Sequence, residues 1–443
     1  MPEIQRIAIE TLGCKVNQFE SAAIEEQLRA KGHTIVPFSQ PADAYIINTC
    51  TVTAKADFQS RQLIRRAMRT NPAARIIVTG CYVQTASREL LEFCQAGNVC
   101  LVGNDQKFNL ANYLIPHNPD NSFEIYVGAI DEVKNICPFT VGHFPRRTRA
   151  FLRIQDGCNA FCSYCIVPYA RGRSRSLPPV EALKQTERLV EGGYQEIVLT
   201  GINLGRYGRD ITPPTSLYEL LVSLEKVNGL RRIRLSSIEP AEITKELVTF
   251  MAKSEVICPH FHIPLQSGST ETLKRMNRHY TAEFYRDMIG MIHDAIPVAA
   301  IGTDVMVGFP GEGEKEFKET YDLLSELPIT YLHVFRYSAR RGTAAYAFPE
   351  SANAKAATLR AGQLKEMGLL KKKTFYFRNL GQETSVLIEG RDRHSKLYKG
   401  LTPNYIPVLI DTKGVSINGM IDVKIERILG DQVIGVLLSS NRN

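Results

Sequence analysis

The chain has 443 residues, 44% hydrophobic and 23% charged, an ordinary globular usage that excludes disordered and collagen-like classes. At roughly 150 residues per domain the length fits about three domains, and no run approaches the ~18 uninterrupted apolar residues of a membrane span. The excess of 54 basic over 46 acidic residues permits a nucleic-acid partner without requiring one.

The opening segment, MPEIQRIAIETLGC, has no basic stretch followed by an apolar run and a cleavage site. The expectation is a cytoplasmic protein with no membrane association. Ten cysteines in such a chain point to metal or redox chemistry rather than to a disulfide framework.

Residues 1–116 read as a small parallel α/β domain. Arg6–Thr11, Tyr45–Thr49 and Arg75–Thr79 are short, β-rich and bounded by turn residues, with helical patterns over Asn17–Ala30 and Asp57–Thr70 between them. Residues 117–148 carry Pro, Asn and charge with little periodicity and read as a linker. From 149 to about 350 six strands are expected: Ala150–Gln155, Glu196–Thr200, Arg232–Ser236, His260–Pro264, Ala300–Val307 and Tyr331–Tyr337. Each precedes a helical pattern, such as Pro179–Glu191 or Thr281–Ile296, and right-handed crossovers then give a partial parallel (β/α)6 barrel. Residues 351–379 complete this unit, 149–379, as a helix ending in Lys371, Lys372 and Lys373. Residues 380–443 alternate apolar and polar positions over Thr384–Gly390, Ile406–Ile410, Ile421–Ile428 and Val433–Leu438. That pattern fits a small antiparallel β-barrel of the kind that binds oligonucleotides.

The densest chemical signal is DGCNAFCSYC, in which Cys158, Cys162 and Cys165 are spaced C-x3-C-x2-C just after the first barrel strand. Three thiolates fill three of the four irons of a cubane iron–sulfur cluster and leave one open to a chelating molecule. A zinc knuckle would want a fourth ligand, for which His143 is available. Cys14, Cys50 and Cys81 form a second set. Each directly follows an expected strand (TLGC, IINTC, IVTGC), and parallel strands bring such ends to one rim. Cys94, Cys100, Cys137 and Cys258 have no partner spacing and read as structural.

The compact cysteine motif, with an aromatic before its last cysteine, resembles the radical S-adenosylmethionine (SAM) superfamily. The resemblance implies that SAM chelates the open iron and, after one-electron reduction, yields a 5′-deoxyadenosyl radical; an electron donor is then a required partner. It also implies adenine contacts around Tyr164 and SAM contacts at Thr200, Gly201 and Asn203. Ser236, Ser237, Gln266 (with His262), Asp304 and Phe335 lie at later strand ends as further SAM or substrate contacts. TLGCKVNQFES, INTCTVT, VTGCYVQ, DGCNAFCSYCIVPYARGRSRS and HIPLQSGS together resemble the methylthiotransferases, over essentially the whole chain. TLGCKVNQFES is most similar to the branch acting on N6-threonylcarbamoyladenosine beside the tRNA anticodon, although Phe19 stands where that branch commonly has tyrosine.

What this implies is two [4Fe-4S] clusters, one on each cysteine set, with SAM as both methyl donor and radical source. It also implies a C-terminal TRAM-like barrel and the tRNA anticodon stem-loop as partner. Arg61, Arg65, Arg66 and Arg69 on one helix, Arg171, Arg173 and Arg175, and Lys371–Lys373 are candidate phosphate contacts, with Tyr398 and Tyr405 as candidate stacking residues. The loop GFPGEG at 308–313 lacks the Gly-Lys-Ser/Thr of a nucleotide-binding loop. Alternatives from the residues are a methylthiotransferase for isopentenyladenosine or for a ribosomal-protein side chain, and a non-catalytic zinc protein that binds RNA.

Overall fold

The computed structural model describes residues 5–94, 98–116, 123–145, 147–349, 353–412 and 414–438. Strands β1 (Arg6–Thr11), β2 (Thr34–Val36), β3 (Ala44–Thr49), β4 (Arg75–Gly80), β5 (Val99–Val102) and β6 (Phe123–Tyr126) form one parallel sheet, ordered β2-β1-β3-β4-β5-β6. Helices α1 (Lys15–Ala30), α2 (Ala54–Thr70) and α3 (Cys81–Phe93) cover it. Alternation along each buried strand sorts these helices by face. Ile46 and Ile77 share a core with Phe19 and Ile24 of α1, whereas Tyr45, Ile47 and Val78 pack with Ile64 of α2 and Leu90 of α3. The α1 core continues without a break into Leu152, Ile197 and Leu199 of the central unit, so α1 is the seam between the two.

β6 corrects the linker reading of 117–148. Phe123–Tyr126 pairs with β5, and its Glu124 is buried against Arg75 on β4. Residues 117–122 and 146 of that stretch lie outside the described residues. Farther on, Phe139, Val141 and Phe144 are buried in the shared core. They are anchors without a period, which is why hydrophobic patterning does not reveal them.

In the central unit β7 (Arg149–Arg153) leads into a short antiparallel ribbon, β8 (Gln155–Asp156) with β9 (Arg175–Ser176), and α4 (Val167–Arg171) lies between the ribbon's arms. β10 (Glu196–Thr200) and β11 (Arg232–Leu235) continue from β7 in parallel, as do β12 (His260–His262), β13 (Ala300–Val307) and β14 (Tyr331–Arg336) among themselves. Backbone bonds from Cys258 N to Ile233 O (2.8 Å) and from Ile238 N to His262 O (3.0 Å) join the two trios. The result is the expected six-stranded half-barrel, with helices α5 (Pro179–Glu191), α6 (Leu217–Leu224), α7 (Lys245–Lys253), α8 (Thr270–Arg275), α9 (Ala282–Ala295) and α10 (Glu314–Glu326) between strands, and α11 (Ala354–Arg378) along β14. β7 and β14 are its free edges. The N-terminal domain spans the gap: α1 packs on β7, while Ala54 N donates to Ser338 Oγ (3.1 Å) and Arg340 donates to Thr51 Oγ1 (2.8 Å) just beyond β14.

The C-terminal domain is a closed barrel of β15 (Glu383–Arg391), β16 (Tyr398–Leu401), β17 (Pro407–Ile410), β18 (Met420–Leu429) and β19 (Gln432–Leu437), ordered β15-β16-β17-β19-β18. The expected all-antiparallel barrel needs correction, because β17 and β19 pair in parallel. The reason is parity: strands that alternate direction around a ring of five must meet one neighbour running the same way. This barrel plugs the N-terminal end of the half-barrel. Arg232 donates to Leu401 O (3.0 Å) and Ser385 Oγ (2.6 Å), Arg234 donates to Pro403 O (2.8 Å), and Arg149 pairs with Glu389 (2.8 Å). Among the described residues no helix is long and apolar enough to cross a membrane.

Candidate active site between two cysteine triads

All ten cysteines are free; Cys14, Cys50 and Cys81 stand at the C-terminal ends of parallel strands, and Cys158, Cys162 and Cys165 come after β8, just past the first barrel strand β7. Cys14 caps α1 after β1, Cys50 follows β3, and Cys81 opens α3 directly after β4. Two glycines permit the convergence. A Cβ on Gly13, whose φ is +101°, would lie 2.8 Å from the Cys50 Cβ. One on Gly80, whose φ is +103°, would lie 2.4 Å from Thr49 O. Any side chain at either position would push two cysteine loops apart. Burial raises the Cys14 thiol above its ordinary pKa and pushes Cys50 up to about 12, and each of these thiols also feels Cys81.

Cys158, Cys162 and Cys165 occupy the loop between β8 and α4. Later segments pin that loop: Ser163 N donates to Met276 O (3.0 Å), Ser163 Oγ to Arg275 O (2.7 Å), and Ala345 N to Ser163 O (2.7 Å). Ala160 N points at Cys158 Sγ (3.4 Å), and Arg278 Nη1, which also bonds Glu239 (3.1 Å), points at Cys162 Sγ (3.4 Å). Burial and the neighbouring thiols push Cys165 up to about 12.

Among the described residues, the one set of three His, Cys, Asp or Glu ligand atoms lying within 4.8 Å of one another is His262, Asp304 and His333. The donors aimed at Cys158 and Cys162 suit thiolates that serve as ligands, since such bonds stabilise charge on sulfur. His143, the possible fourth zinc ligand, lies instead beside Tyr194, its Nδ1 3.5 Å from the phenol oxygen.

A buried ionic network joins the two triads. Glu20 of α1 receives Arg171 (2.6 Å), Lys107 (2.7 Å) and Arg153 (3.0 Å). Asp156, two residues before Cys158, faces Arg171 (3.3 Å), Arg153 (3.4 Å) and Arg175 (3.5 Å). Arg171 also bonds Asn17, whose amide donates to Leu12 O (2.8 Å) and Thr49 O (3.0 Å) and so ties together the loops that carry Cys14 and Cys50. Burial opposes ionisation of Glu20, but Arg171, Lys107 and Arg153 outweigh it and hold the carboxyl well below its ordinary range.

The expected SAM contacts divide between two walls. Near the Cys158 loop, Thr200 is buried, Gly201 lies against Gln155, and Gln155 Oε1 accepts from Ile202 N (2.9 Å) and Asn203 N (2.8 Å). Burial raises the Cys158 thiol above its ordinary pKa, an effect the nearby Asn203 side chain opposes. Asn203 Oδ1 and Ser236 Oγ are buried without a hydrogen-bond partner among the described residues, at adjacent strand ends, a deficit that a polar ligand would fill. Tyr164 packs on Phe309, and Ser237 is exposed. On the far wall Gln266 adopts a φ of +65°, its backbone bridging Asp304 O and Met306 N. Asp304 accepts from His262 (2.9 Å) and lies 3.3 Å from His333. Phe335 is exposed beside His333.

Several expected RNA contacts are corrected. Arg171 and Arg175 are 1% and 4% exposed, spent on the network, although Arg173 is exposed. Tyr398 is buried under Arg391, and Tyr405 stacks on His260 with ring centroids 4.3 Å apart, so neither is free to stack on a base. Lys371 donates to Leu327 O (2.8 Å). Arg61 pairs with Glu89, whereas Arg65, Arg66 and Arg69 are exposed and line a groove of about 480 Å³ with Gln59 and Gln62.

Sequence reasoning missed Glu20, Lys107, Arg278 and Lys15. One signal was present: Asn17, Glu20 and Ser21 share the buried face of α1 with Val16 and Phe19, and polar residues on such a face need partners. Lys15 reaches the half-barrel, where burial and then Arg149 and Arg234 lower its pKa to about 8.

Comparison with known proteins agrees with this geometry. Residues 152–324 match the model of the Radical SAM superfamily, and residues 6–102 match a family described as Uncharacterized protein family UPF0004. The chain is 40% identical over 403 residues to the threonylcarbamoyladenosine tRNA methylthiotransferase MtaB of Aquifex aeolicus, covering 91% of this chain and 96% of that one. It is 40% identical over 423 residues to the protein of that name from Bacillus subtilis (95% and 93% covered). It is 34% identical over 400 residues to a tRNA-2-methylthio-N(6)-dimethylallyladenosine synthase of Clostridium botulinum (88% and 87% covered). The radical S-adenosylmethionine methyltransferase TsrM of Kitasatospora setae shares the fold, with a TM-score of 0.56 at 15% identity over 75% of each chain. With one cysteine triad at parallel strand ends, a second just past the first barrel strand, and near full-length likeness to such relatives, this chain belongs to the radical-SAM methylthiotransferases.

Proposed function

We propose that this protein replaces the C2 hydrogen of N6-threonylcarbamoyladenosine, beside the anticodon of tRNA, with a methylthio group. The observation that carries this reading is the pair of three-thiol sites held to one buried network, in a chain 40% identical to relatives named for that substrate. Cys158, Cys162 and Cys165 would hold one [4Fe-4S] cluster and Cys14, Cys50 and Cys81 the other, each leaving one iron without a protein ligand. Bound there, the clusters and SAM supply the one-electron chemistry and the methyl group that an unreactive aromatic C–H bond requires.

The chain's own residues do the holding. Asn203 and Ser236 offer unpaired buried polar atoms to SAM, and Tyr164 lies beside the same cysteine loop. Arg278, anchored by Glu239, directs positive charge at Cys162. The exposed Arg65, Arg66 and Arg69 offer phosphate contacts, and the terminal barrel serves as the TRAM-like RNA-binding domain. An electron donor completes the cycle, and the cytoplasm supplies both it and tRNA.

The test is mass spectrometry of tRNA nucleosides from a deletion strain that lacks any redundant enzyme. Loss of methylthio-threonylcarbamoyladenosine, restored by the intact gene and not by a Cys158→Ala copy, is the expected result. An unchanged level overturns the substrate assignment. Colourless, zinc-loaded protein after anaerobic purification would overturn the enzyme reading itself.

A further inference from the structure

Among the described residues one guanidinium, that of Arg278, donates to a cysteine sulfur. Arg278 follows α8, and its segment is clasped to the cysteine loop by Ser163 N on Met276 O (3.0 Å) and Asn277 Nδ2 on Phe161 O (3.0 Å). Its Nη1 reaches Cys162 Sγ at 3.4 Å and Glu239 Oε1 at 3.1 Å, and Nη2 bonds the other Glu239 oxygen. Nε donates to the Tyr280 hydroxyl at 3.1 Å. That tyrosine is fixed in turn: its hydroxyl donates to Leu265 O (2.9 Å), and its ring centre lies 5.1 Å from the guanidinium carbon. The orientation of this cation toward sulfur is therefore held from every side.

The other triad is furnished differently. The described side chain that bonds one of its sulfurs is Asn104, a neutral amide 3.9 Å from Cys81 Sγ. Arg171, which links the two triads, spends its donors on Glu20, Asp156 and Asn17 rather than on sulfur. One-electron reduction adds a unit of negative charge to an iron–sulfur cluster. Hydrogen bonds to its sulfurs, and the charge around it, set the potential at which that happens. A guanidinium stays charged at any working pH, and at 8% exposure the field of Arg278 is weakly screened. Glu239 opposes it, so the pair acts as a dipole whose positive end meets sulfur.

We propose that Arg278 raises the reduction potential of the cluster on Cys158, Cys162 and Cys165, that Glu239 moderates this effect, and that the cluster on Cys14, Cys50 and Cys81 lies outside it. The inference rests on the cluster reading given above. In the step concerned, a low-potential one-electron donor passes one electron to the cluster; no bond forms or breaks and no proton moves. Arg278 acts through Cys162, so it is a positioning residue rather than a catalytic one. The carboxylate of SAM offers the same guanidinium a second partner, and the experiment separates the two roles.

Full-length protein reconstituted with both clusters would be titrated against potential, with electron paramagnetic resonance reading each reduced cluster. Iron content and SAM affinity would be measured for every variant. The signal that changes on adding SAM identifies the Cys158 cluster. Arg278→Gln should lower the midpoint of that cluster by about 59 mV or more, a tenfold loss in the ratio of reduced to oxidised cluster at fixed potential. Arg278→Lys should recover part of the shift. Glu239→Gln, which removes the opposing charge, should raise the midpoint. The second cluster should keep its potential in all three.

Opposite shifts at one cluster are the signature of charge, because a loosened fold would move both variants the same way. Unchanged potentials, shifts of one sign in Arg278→Gln and Glu239→Gln, or equal movement of both clusters overturn the assignment. Weakened SAM binding at an unaltered potential overturns it too and gives the guanidinium to SAM. A wild type with no SAM-responsive cluster signal overturns the cluster reading first.

Discussion

Replacing Glu20 with glutamine keeps the side chain's size and removes one charge from the seam between two domains. Glu20 belongs to α1, while Arg153 and Arg171, at 3.0 Å and 2.6 Å, belong to the half-barrel. Without it Asp156 is the one carboxylate left facing Arg153, Arg171 and Arg175, and Lys107, 1% exposed, loses its anion. Breaking a buried ion pair from one side costs about 3–5 kcal/mol, a large share of the ~5–15 kcal/mol that holds a typical domain. The cost should fall on the docking of α1, not on the far sheet of the N-terminal domain. Hydrogen exchange is the suitable assay, since the chain has no tryptophan to report by fluorescence. Amides of α1 should lose about two to four orders of magnitude of protection in Glu20→Gln, with the central strands of the terminal barrel unchanged. Adding Lys107→Met should return part of the loss, because it removes a cation stranded by the first change. The pH dependence has a definite sign. The folded carboxyl is held below its unfolded value, so its contribution is complete above about pH 4.3 and is lost as pH falls below that, where wild type and variant should converge. Protection in the variant within about fivefold of wild type at pH 7 would refute the reasoning.

Reconstituted protein should carry about eight irons per chain, falling to about four in the Cys14/Cys50/Cys81 triple alanine variant. That variant, checked for folding, should still cleave SAM reductively but transfer no methylthio group; normal transfer would sink the division between the triads. Arg65→Glu with Arg69→Glu should weaken tRNA binding and flatten the slope of log affinity against log salt by about 2 units, and an unchanged slope would place the RNA elsewhere. His260 is held neutral, first by burial and then by Arg234, so its folded pKa lies below the unfolded value. Stability should therefore be complete above about pH 6.5 and fall by up to about 1.4 kcal/mol per unit on acidification below it. Urea unfolding of His260→Phe should lose this part of the acid slope, and an unaltered slope would mean that the ring is protonated in the fold.

The strands and the triads were legible in the sequence because each is a local signal. Glu196–Thr200 and Ala300–Val307 are apolar runs of strand length bounded by turn residues, and the structure has them at the same limits. The Cys158 motif is one short loop, and Cys14, Cys50 and Cys81 could be grouped because each follows a strand whose parallel partner is also visible. Elements with weak patterns were not legible. Thr34–Val36 is three residues long, Tyr398–Leu401 contains Gly400, and Phe123–Tyr126 sits beyond a polar stretch. The parallel closure of the terminal barrel follows from strand number, which a missed strand conceals.

What only the tertiary structure decided is the fate of the charges. Arg171 and Arg175 read as a basic surface run, yet both are buried, Arg171 on Glu20, which lies 151 residues before it in the chain, and Arg175 beside Asp156. Tyr405 read as a base-stacking residue, and its ring is instead spent on His260 of another domain. Lys15 read only as part of a motif, and the charges that lower its pKa, Arg149 and Arg234, belong to another domain. Hydrophobic period and turn chemistry act between near neighbours and leave a trace in any short window of sequence. Coulomb and hydrogen-bond partners are chosen by distance in space, so a window that shows a charge does not show what neutralises it.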